Sequence, residues 1–423
     1  MPHECLILAD APGALVEVCG ISILERLLRT LQRCGIAQAT VLSRTPELIE
    51  EHLAKPSWAR DRLDATVRER PDGAVTIGQI VDVWPKDAQL LLVVRGDCIF
   101  DNRLLQSLSA KTSASNLIDS AAPAKLEWCG AALLQHDWTL KQSGSLEQAL
   151  NSGTEKREIA ALDLADQPLY SPALRRNLRP FWFSAPPAGQ EKQAESVLLN
   201  SVQKGTQDFP AYIHAPIEKF LVSHLCKTSI TPNQLTIVWA IGALATTILF
   251  AQGQLVWGIA VALIVGIIDG LDGKQARIKV ETTKGGKLEH RLDSFFEVAW
   301  PTALAFHFYV SGQLPWAFRY LLILIVAEAL DGIGKGGIYF AAEKLHEEPG
   351  LFDRMVRLVG GRRNIYIWML VLGVIWGAPE KAFIVMAWWE VATAVFDLPH
   401  GAWALHRLRK KTRWNASQFS DFL

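Results

Sequence analysis

Between residues 232 and 406 apolar runs recur, and one of them, LVWGIAVALIVGII at 255–268, passes directly into DGLDGKQARIKVETTKGGKLEHRLDSFFE at 269–297. A membrane-spanning helix needs roughly 20 mostly apolar residues, because its backbone groups must be satisfied within the segment. The run at 255–268 reaches that length only by continuing helically into the acidic stretch. Asp269, Asp272, Glu289, Asp293 and Glu297 therefore lie against a membrane segment. An ionised side chain at the bilayer centre costs about 2.5–3.5 kcal/mol on insertion scales, so something must compensate for these carboxylates.

Further apolar runs lie at 235–251, 295–311, 316–330, 365–377 and 382–398. With 255–268 they predict an all-α membrane domain of about six helices. SITPNQLT at 229–236 reads as a helix start, with Thr231 as N-cap and Pro232 at the first helical position. PIEKFLVSHLCK at 216–227 reads as an amphipathic helix on the membrane surface. Lys274, Arg277, Lys279, Lys284 and Lys287 follow the second run, Arg362 and Arg363 precede the fifth, and HRLRKKTR follows the last. The positive-inside rule puts these on the cytoplasmic side. An even number of spans then leaves both termini cytoplasmic in a multi-pass protein of the cell (inner) membrane.

Residues 1–215 read as an ordinary soluble domain. ECLILAD and QATVLSR are strand-like, SILERLLRTLQRCG is an amphipathic helix ending at Gly35, and QLLLVVRGDCIFD is a buried strand. Alternating strands and helices imply an α/β domain with a mostly parallel sheet and ligands at its C-terminal edge. The six cysteines have no paired or metal-type spacing and are expected as reduced thiols. MPHECLILAD lacks a basic stretch followed by an apolar one, so no signal peptide is expected. The chain of 423 residues carries 43 basic and 43 acidic side chains, which gives no global argument for nucleic acid as a partner. The expected division is a domain at 1–205, a linker and juxtamembrane helix at 206–230, a membrane domain at 231–410 and a tail at 411–423.

Asp269 and Asp272 are three apart, and Glu289, Asp293 and Glu297 step by four, so each set shares one helix face. Two such faces at one depth would form a carboxylate cage for hard divalent cations. Two Mg²⁺ or Mn²⁺ ions would cancel the charge and hold a pyrophosphate, with Arg277 for phosphate and Gly270, Gly273 and Ala276 giving close approach. The reaction class is metal-assisted displacement at phosphorus.

The stretch resembles the CDP-alcohol phosphotransferase signature, D-x2-D-G-x2-A-R followed by G-x3-D-x3-D. Asp269, Asp272, Gly273, Ala276 and Arg277 match the first half. In the second half, spacing selects Gly285, Glu289 and Asp293, whereas LDSFFE selects Asp293 and Glu297. The resemblance spans roughly 215–405 and includes TPNQLT, which places Asn233 near the donor. It implies a CDP-alcohol donor, a hydroxyl acceptor (lipid or polyol phosphate), release of CMP, membrane lipids as surroundings and a homodimer. Asp269, Asp272, Glu289 and Asp293 are the expected metal ligands and Asp293 the expected general base, with Glu297 as the alternative. Arg362, Arg363 and Lys335 are candidates for the acceptor site, although topology-setting charge and an Asp331–Lys335 ion pair explain them equally.

LILADAPGALVEVCGISILERLLRTLQRCGI resembles the opening of sugar-phosphate nucleotidyltransferases. Gly13 is kept, but no basic residue lies between Asp10 and Gly20. Asp97 matches one metal carboxylate, whereas residues 181–199 offer no second Asp. One metal carboxylate and no phosphate-gripping base suit triphosphate chemistry poorly. The whole chain resembles fused inositol-phosphate cytidylyltransferase and di-inositol-phosphate synthase proteins with a degraded head. Two other readings stay open: a membrane prenyltransferase using Mg²⁺-pyrophosphate, and a non-catalytic membrane-anchored nucleotide-binding protein.

Overall fold

The computed structural model describes residues 4–55, 63–121, 127–205, 208–281 and 286–420, with side chains at 286–291 and 412–420 outside the description. The chain forms two compact units. The first comprises Met1–Leu169, Leu178–Ser201 and the short segment Arg277–Thr282. The second comprises Tyr170–Asn177, Val202–Ala276 and Thr283–Leu423.

The first unit is built on a seven-stranded sheet. Its strands are β1 (Glu4–Leu8), β2 (Gln38–Ser43), β3 (Asp64–Glu69), β4 (Leu90–Arg95), β5 (Ser115–Ile118), β6 (Ala131–Gln135) and β7 (Ala160–Asp163), in spatial order β7-β5-β6-β4-β1-β2-β3. β1 runs parallel to β2, with Glu4 opposite Gln38, and parallel to β4, with Cys5 opposite Leu92. Only β6 is antiparallel to its neighbours. Helices cover both faces, so alternate residues of one strand enter opposite cores. Cys5 and Ile7 join Leu24, Leu28 and Leu31 of α1 (Ile23–Arg33) on one side. Leu6 joins Leu146 and Leu150 of α3 (Leu146–Glu155) on the other.

Local chemistry sets the ends of these elements. Ser22 Oγ accepts the Glu25 N–H at 3.1 Å and opens α1, and Gly35, at φ +85°, ends it in a conformation that costs glycine nothing. Asp101 caps α2 (Asn102–Ser109) in the same way. All six cysteines are free thiols. The strand expected over QLLLVVRGDCIFD divides at Gly96 and Asp97, and Cys98–Phe100 pairs instead with Trp182–Ser184.

The second unit is helical: α4 (Phe209–Leu225), α5 (Pro232–Ala251), α6 (Leu255–Ile278), α7 (Gly286–Val310), α8 (Ala317–Leu345), α9 (Leu351–Val359), α10 (Arg363–Ile375) and α11 (Pro379–Ser420). The last two residues of α6 belong to the first unit. α5 starts as expected: Thr231 and Gln234 form a capping box and Pro232 follows the cap. α4 begins earlier than the expected 216, because Asp208 Oδ1 accepts the Ala211 N–H at 2.9 Å and caps it there.

Helices occupy all six expected ranges. Among the described residues three of them (232–251, 255–278 and 379–411) can cross a membrane by length and composition, or four if α9 and α10, which meet at 44°, form one broken span. α7 and α8 carry Asp293, Glu297, Glu328 and Asp331 within their apolar stretches, and these charges set them apart. Ile237, Ile241, Leu244 and Ile248 of α5 point outward, as lipid-facing side chains do. Phe250, Trp300, Phe308, Leu324, Leu370 and Phe383 fill the interior.

Candidate active site of the helical unit

Asp269 and Asp272 stand about one turn apart in the last three turns of α6. Asp272 is buried, and Thr236 of α5 donates its hydroxyl to Asp272 Oδ2 at 2.9 Å. Asp269 accepts from Arg363 Nη2 at 2.7 Å. The Nη1 of the same guanidinium lies 3.5 Å from Asp293 Oδ1 on α7. Arg363 thus joins carboxylates from two helices, and its guanidinium also sits 5.9 Å from the Trp239 ring. Beyond that ion pair, Asp293 Oδ1 is buried without a hydrogen-bond partner among the described residues. Glu297, one turn further along α7, is exposed.

The small residues of the signature have identifiable neighbours. A side chain on Gly270 would meet the Glu218 carboxylate at 2.5 Å. Glu218, on α4, forms a buried ion pair with Lys274. Gln275 ties α6 to the end of α4 by donating to the carbonyls of Leu225 at 3.1 Å and Ile230 at 3.2 Å. His214 of α4 packs beside Gly266 and, with Arg363 and Asn364, lines a small cavity next to the carboxylates. Burial pushes the His214 imidazole below its ordinary pKa, against the pull of Glu218, Asp208 and Asp269.

A second polar group lies behind Arg362 and Arg363. Lys335 pairs with Asp331 one turn away on α8 and also donates to the Gly361 carbonyl at 3.3 Å. The Gly361 N–H donates to Thr393 Oγ1 at 2.9 Å. A side chain on Gly361 would run into the carboxylate of Glu390, which is fully buried and accepts from the Tyr366 hydroxyl. Gly361 is therefore held from α8 and α11, and that fixes where the next two residues, both arginines, leave the chain.

Sequence reasoning singled out Asp269, Asp272, Asp293, Arg363 and Lys335, and the structure brings Asp269 and Asp293 to the Arg363 guanidinium and Asp272 to Thr236. Arg363, expected toward the acceptor, is bound to Asp269 and Asp293. Lys335 forms the ion pair considered for it. Asn233 is exposed on the first turn of α5, three residues before Thr236 and on the same face. Gly273 and Ala276 face along α6 with Asp269 and Asp272. The Lys284, Gly285, Lys287 and Glu289 side chains lie outside the described residues. Thr236, Glu218, Tyr366 and Glu390 were missed; Glu390, a carboxylate inside an apolar run, carried the signal.

The donor chemistry suits a hard divalent cation: the ligands are carboxylate oxygens, and Asp293 offers an orphaned one. Among the described residues no group of three His, Cys, Asp or Glu is arranged to hold a metal ion. One cation, Arg363, bridges two of the four expected ligands instead.

The first unit has its own cavity, of about 400 Å³, where β1 and β4 end. Asp10, Gly13, Arg44, Arg70, Arg95, Asp97, Trp128 and Glu147 are among its walls. The bases absent from the first loop arrive from elsewhere, and each is bound to a carboxylate. Arg44 Nε lies 3.0 Å from Asp10, Arg70 also reaches Asp10, and Arg95 grips Asp97 at 3.0 and 2.7 Å.

Residues 229–396 match the family model described as CDP-alcohol phosphatidyltransferase. The chain is 32% identical over 199 residues to the inner membrane protein YnjF of Escherichia coli, covering 44% of this chain and 93% of that protein. It is 28% identical over 405 residues to a bifunctional IPC transferase and DIPP synthase of Thermococcus kodakarensis, covering 85% and 89%. A protein of the same description from Aquifex aeolicus is 27% identical over 213 residues, and the match spans 47% of that protein's length. Among solved structures, the inositol-1-phosphate CTP transferase from T. maritima is similar to 46% of this chain at 11% identity and a TM-score of 0.35.

Proposed function

The chain belongs to the CDP-alcohol phosphatidyltransferase family, and on that premise we propose that its helical unit moves a phosphoalcohol group from a CDP-alcohol to an acceptor hydroxyl and releases CMP. The observation that carries the reading is that Asp269 from α6 and Asp293 from α7 meet at Arg363, with Asp272 one turn from Asp269 on the same face of α6. Asp269, Asp272 and Glu289 would hold Mg²⁺ or Mn²⁺, two ions in our reading, which when bound neutralise the donor pyrophosphate. Asp293 takes the acceptor's proton on its orphaned oxygen. The acceptor oxygen bonds to the distal phosphorus, and the bond from that phosphorus to CMP breaks. Thr236 holds the Asp272 carboxylate in place, and Gly273, Ala276, Arg277 and Asn233 receive the donor's nucleotide and phosphates. Arg362, Arg363 and Lys335 supply positive charge for a phosphate-bearing acceptor.

The relatives described as bifunctional IPC transferase and DIPP synthase support an inositol-phosphate-type donor and acceptor. In our reading the protein is a dimer in the inner membrane with both termini and the active site on the cytoplasmic side; the clustered lysines and arginines support that orientation. The first unit performs no nucleotidyl transfer, because the carboxylate matching a metal ligand is already held by Arg95.

The test is CMP release by the purified full-length protein from CDP-inositol and other CDP-alcohols in the presence of Mg²⁺. Asp272→Asn should fold and insert yet release no CMP. Wild-type turnover by that variant, or turnover that persists in excess chelator, would sink the proposal. Release of pyrophosphate from a prenyl donor in place of CMP would point to prenyl transfer.

A further inference from the structure

We infer that Arg26, Arg29 and Arg33 of α1 are positioning residues for the transfer reaction: they clamp the backbone of residues 278–281, at the end of the helix that carries the signature. The inference rests on the reading above, in which Asp269, Asp272, Ala276 and Arg277 hold the donor.

The three arginines recur at intervals of three and four, so α1 presents them on one face. Arg26 Nη1 donates to the Ile278 carbonyl and Nη2 to the Val18 carbonyl at 2.8 Å. Arg29 Nη1 donates to the Lys279 carbonyl at 2.6 Å and lies 3.3 Å from the Glu281 carboxylate. Arg33 Nη2 donates to the Glu281 carbonyl at 2.5 Å. Arg26 and Arg29 are 6% and 2% exposed, and Ile278, Lys279 and Val280 are buried beside them.

These carbonyls are not arbitrary acceptors. α6 ends at Ile278, and the last carbonyls of a helix have no partner within it. Such groups are ordinarily satisfied by the helix's own final residues or by water. Here Arg26, 252 residues earlier in the sequence, satisfies the Ile278 carbonyl, and Arg29 that of Lys279, the next residue. A cation at a helix C-terminus is also favoured by the helix dipole. An independent observation points the same way: Val280 has φ +53°. A β-branched residue holds the left-handed region only where its surroundings impose it.

Arg277 immediately precedes the first clamped carbonyl, and Ala276 precedes Arg277. Asp269 and Asp272 lie one to two turns deeper in α6. When a helix end frays, the final turn opens first. Loss of the clamp should therefore displace the donor-binding residues Ala276 and Arg277 and leave the deeper carboxylates in register. The kinetic mark of this is a raised KM for the donor with kcat largely kept.

The experiment uses the full-length protein and the single variants Arg29→Gln, Arg29→Lys and Arg33→Gln. Backbone hydrogen exchange across 273–281 reports the clamp directly, and steady-state CMP release from CDP-inositol reports its effect on the reaction. Exchange should rise about tenfold in that segment, with β1 and β4 unchanged. KM should rise about tenfold and kcat change less than about threefold. Arg29→Lys should recover part of both effects, because it keeps the charge and loses the fork. Arg33 is half-buried, so Arg33→Gln decides the matter should Arg29→Gln fail to fold. Unchanged exchange in 273–281 would overturn the clamp. Faster exchange with an unchanged KM would overturn its role in donor binding. A wild-type protein that releases no CMP from any CDP-alcohol would count against the proposed reaction, and the exchange measurement would still decide the clamp.

Discussion

Asp293 and Glu297 sit one turn apart on α7 in different surroundings. Asp293 pairs with the Arg363 guanidinium and has an orphaned buried oxygen, whereas Glu297 is exposed. Asp293→Asn should lower single-turnover rate by about 10²–10⁴-fold, the usual worth of a general base, and leave CDP-alcohol affinity nearly intact. Glu297→Gln should change either quantity little. Measuring donor affinity and single-turnover rate for both variants separates the alternatives. A Glu297→Gln variant that binds donor but does not turn over would transfer the role of base to Glu297. The carboxylates themselves were legible because charge inside an apolar run is costly and must have a reason. Thr236 was not, since a threonine near a helix start has many uses and only its 2.9 Å bond to Asp272 singles this one out.

At the scale of the element, α8 and α11 approach backbone to backbone. A side chain on Gly334 would come within 2.5 Å of the Asp397 carbonyl, and one on Gly401 within 2.3 Å of the Gly334 carbonyl. Small residues at helix crossings permit this closeness where lipid removes the hydrophobic drive for helices to associate. Backbone cannot yield as a side-chain tip can. Gly401→Ala should therefore destabilise the protein by roughly 1–3 kcal/mol, the usual cost of overpacking. Gly332→Ala and Gly336→Ala, with nothing within 4 Å, are the controls, and thermal unfolding in detergent reads all three. Equal melting temperatures for Gly401→Ala and the controls would contradict the close crossing. Among the described residues apolar composition singles out three or four spans rather than six, because polar and charged side chains interrupt α7 (Asp293, Glu297) and α8 (Arg319, Glu328, Asp331, Lys335) along their length.

For the whole molecule the open question is the first unit. Its sheet and cavity are intact, yet its arginines are bound to Asp10 and Asp97. The full-length protein should release no pyrophosphate from CTP with inositol phosphate or other sugar phosphates above a control without enzyme. Measurable release would mean that Arg95 yields Asp97 to a metal when nucleotide binds. The sequence reading of missing bases was correct for the first loop and incomplete for the cavity. Arg44, Arg70 and Arg95 lie on separate segments, and only the sheet topology brings them together.

Local order was sufficient for the features that depend on nearby residues. Apolar periodicity located strands and helices, Thr231 announced a helix start, and the spacing of Asp269 and Asp272 placed both on one face. Those follow from backbone geometry over one or two turns. The tertiary structure alone decided which charges meet. Arg363 reaches Asp269 across 94 positions of sequence, and Arg29 reaches Lys279 across 250. Such pairs form where burial removes the competing water and leaves each charge only the partners that the fold brings within reach, and no local pattern records that.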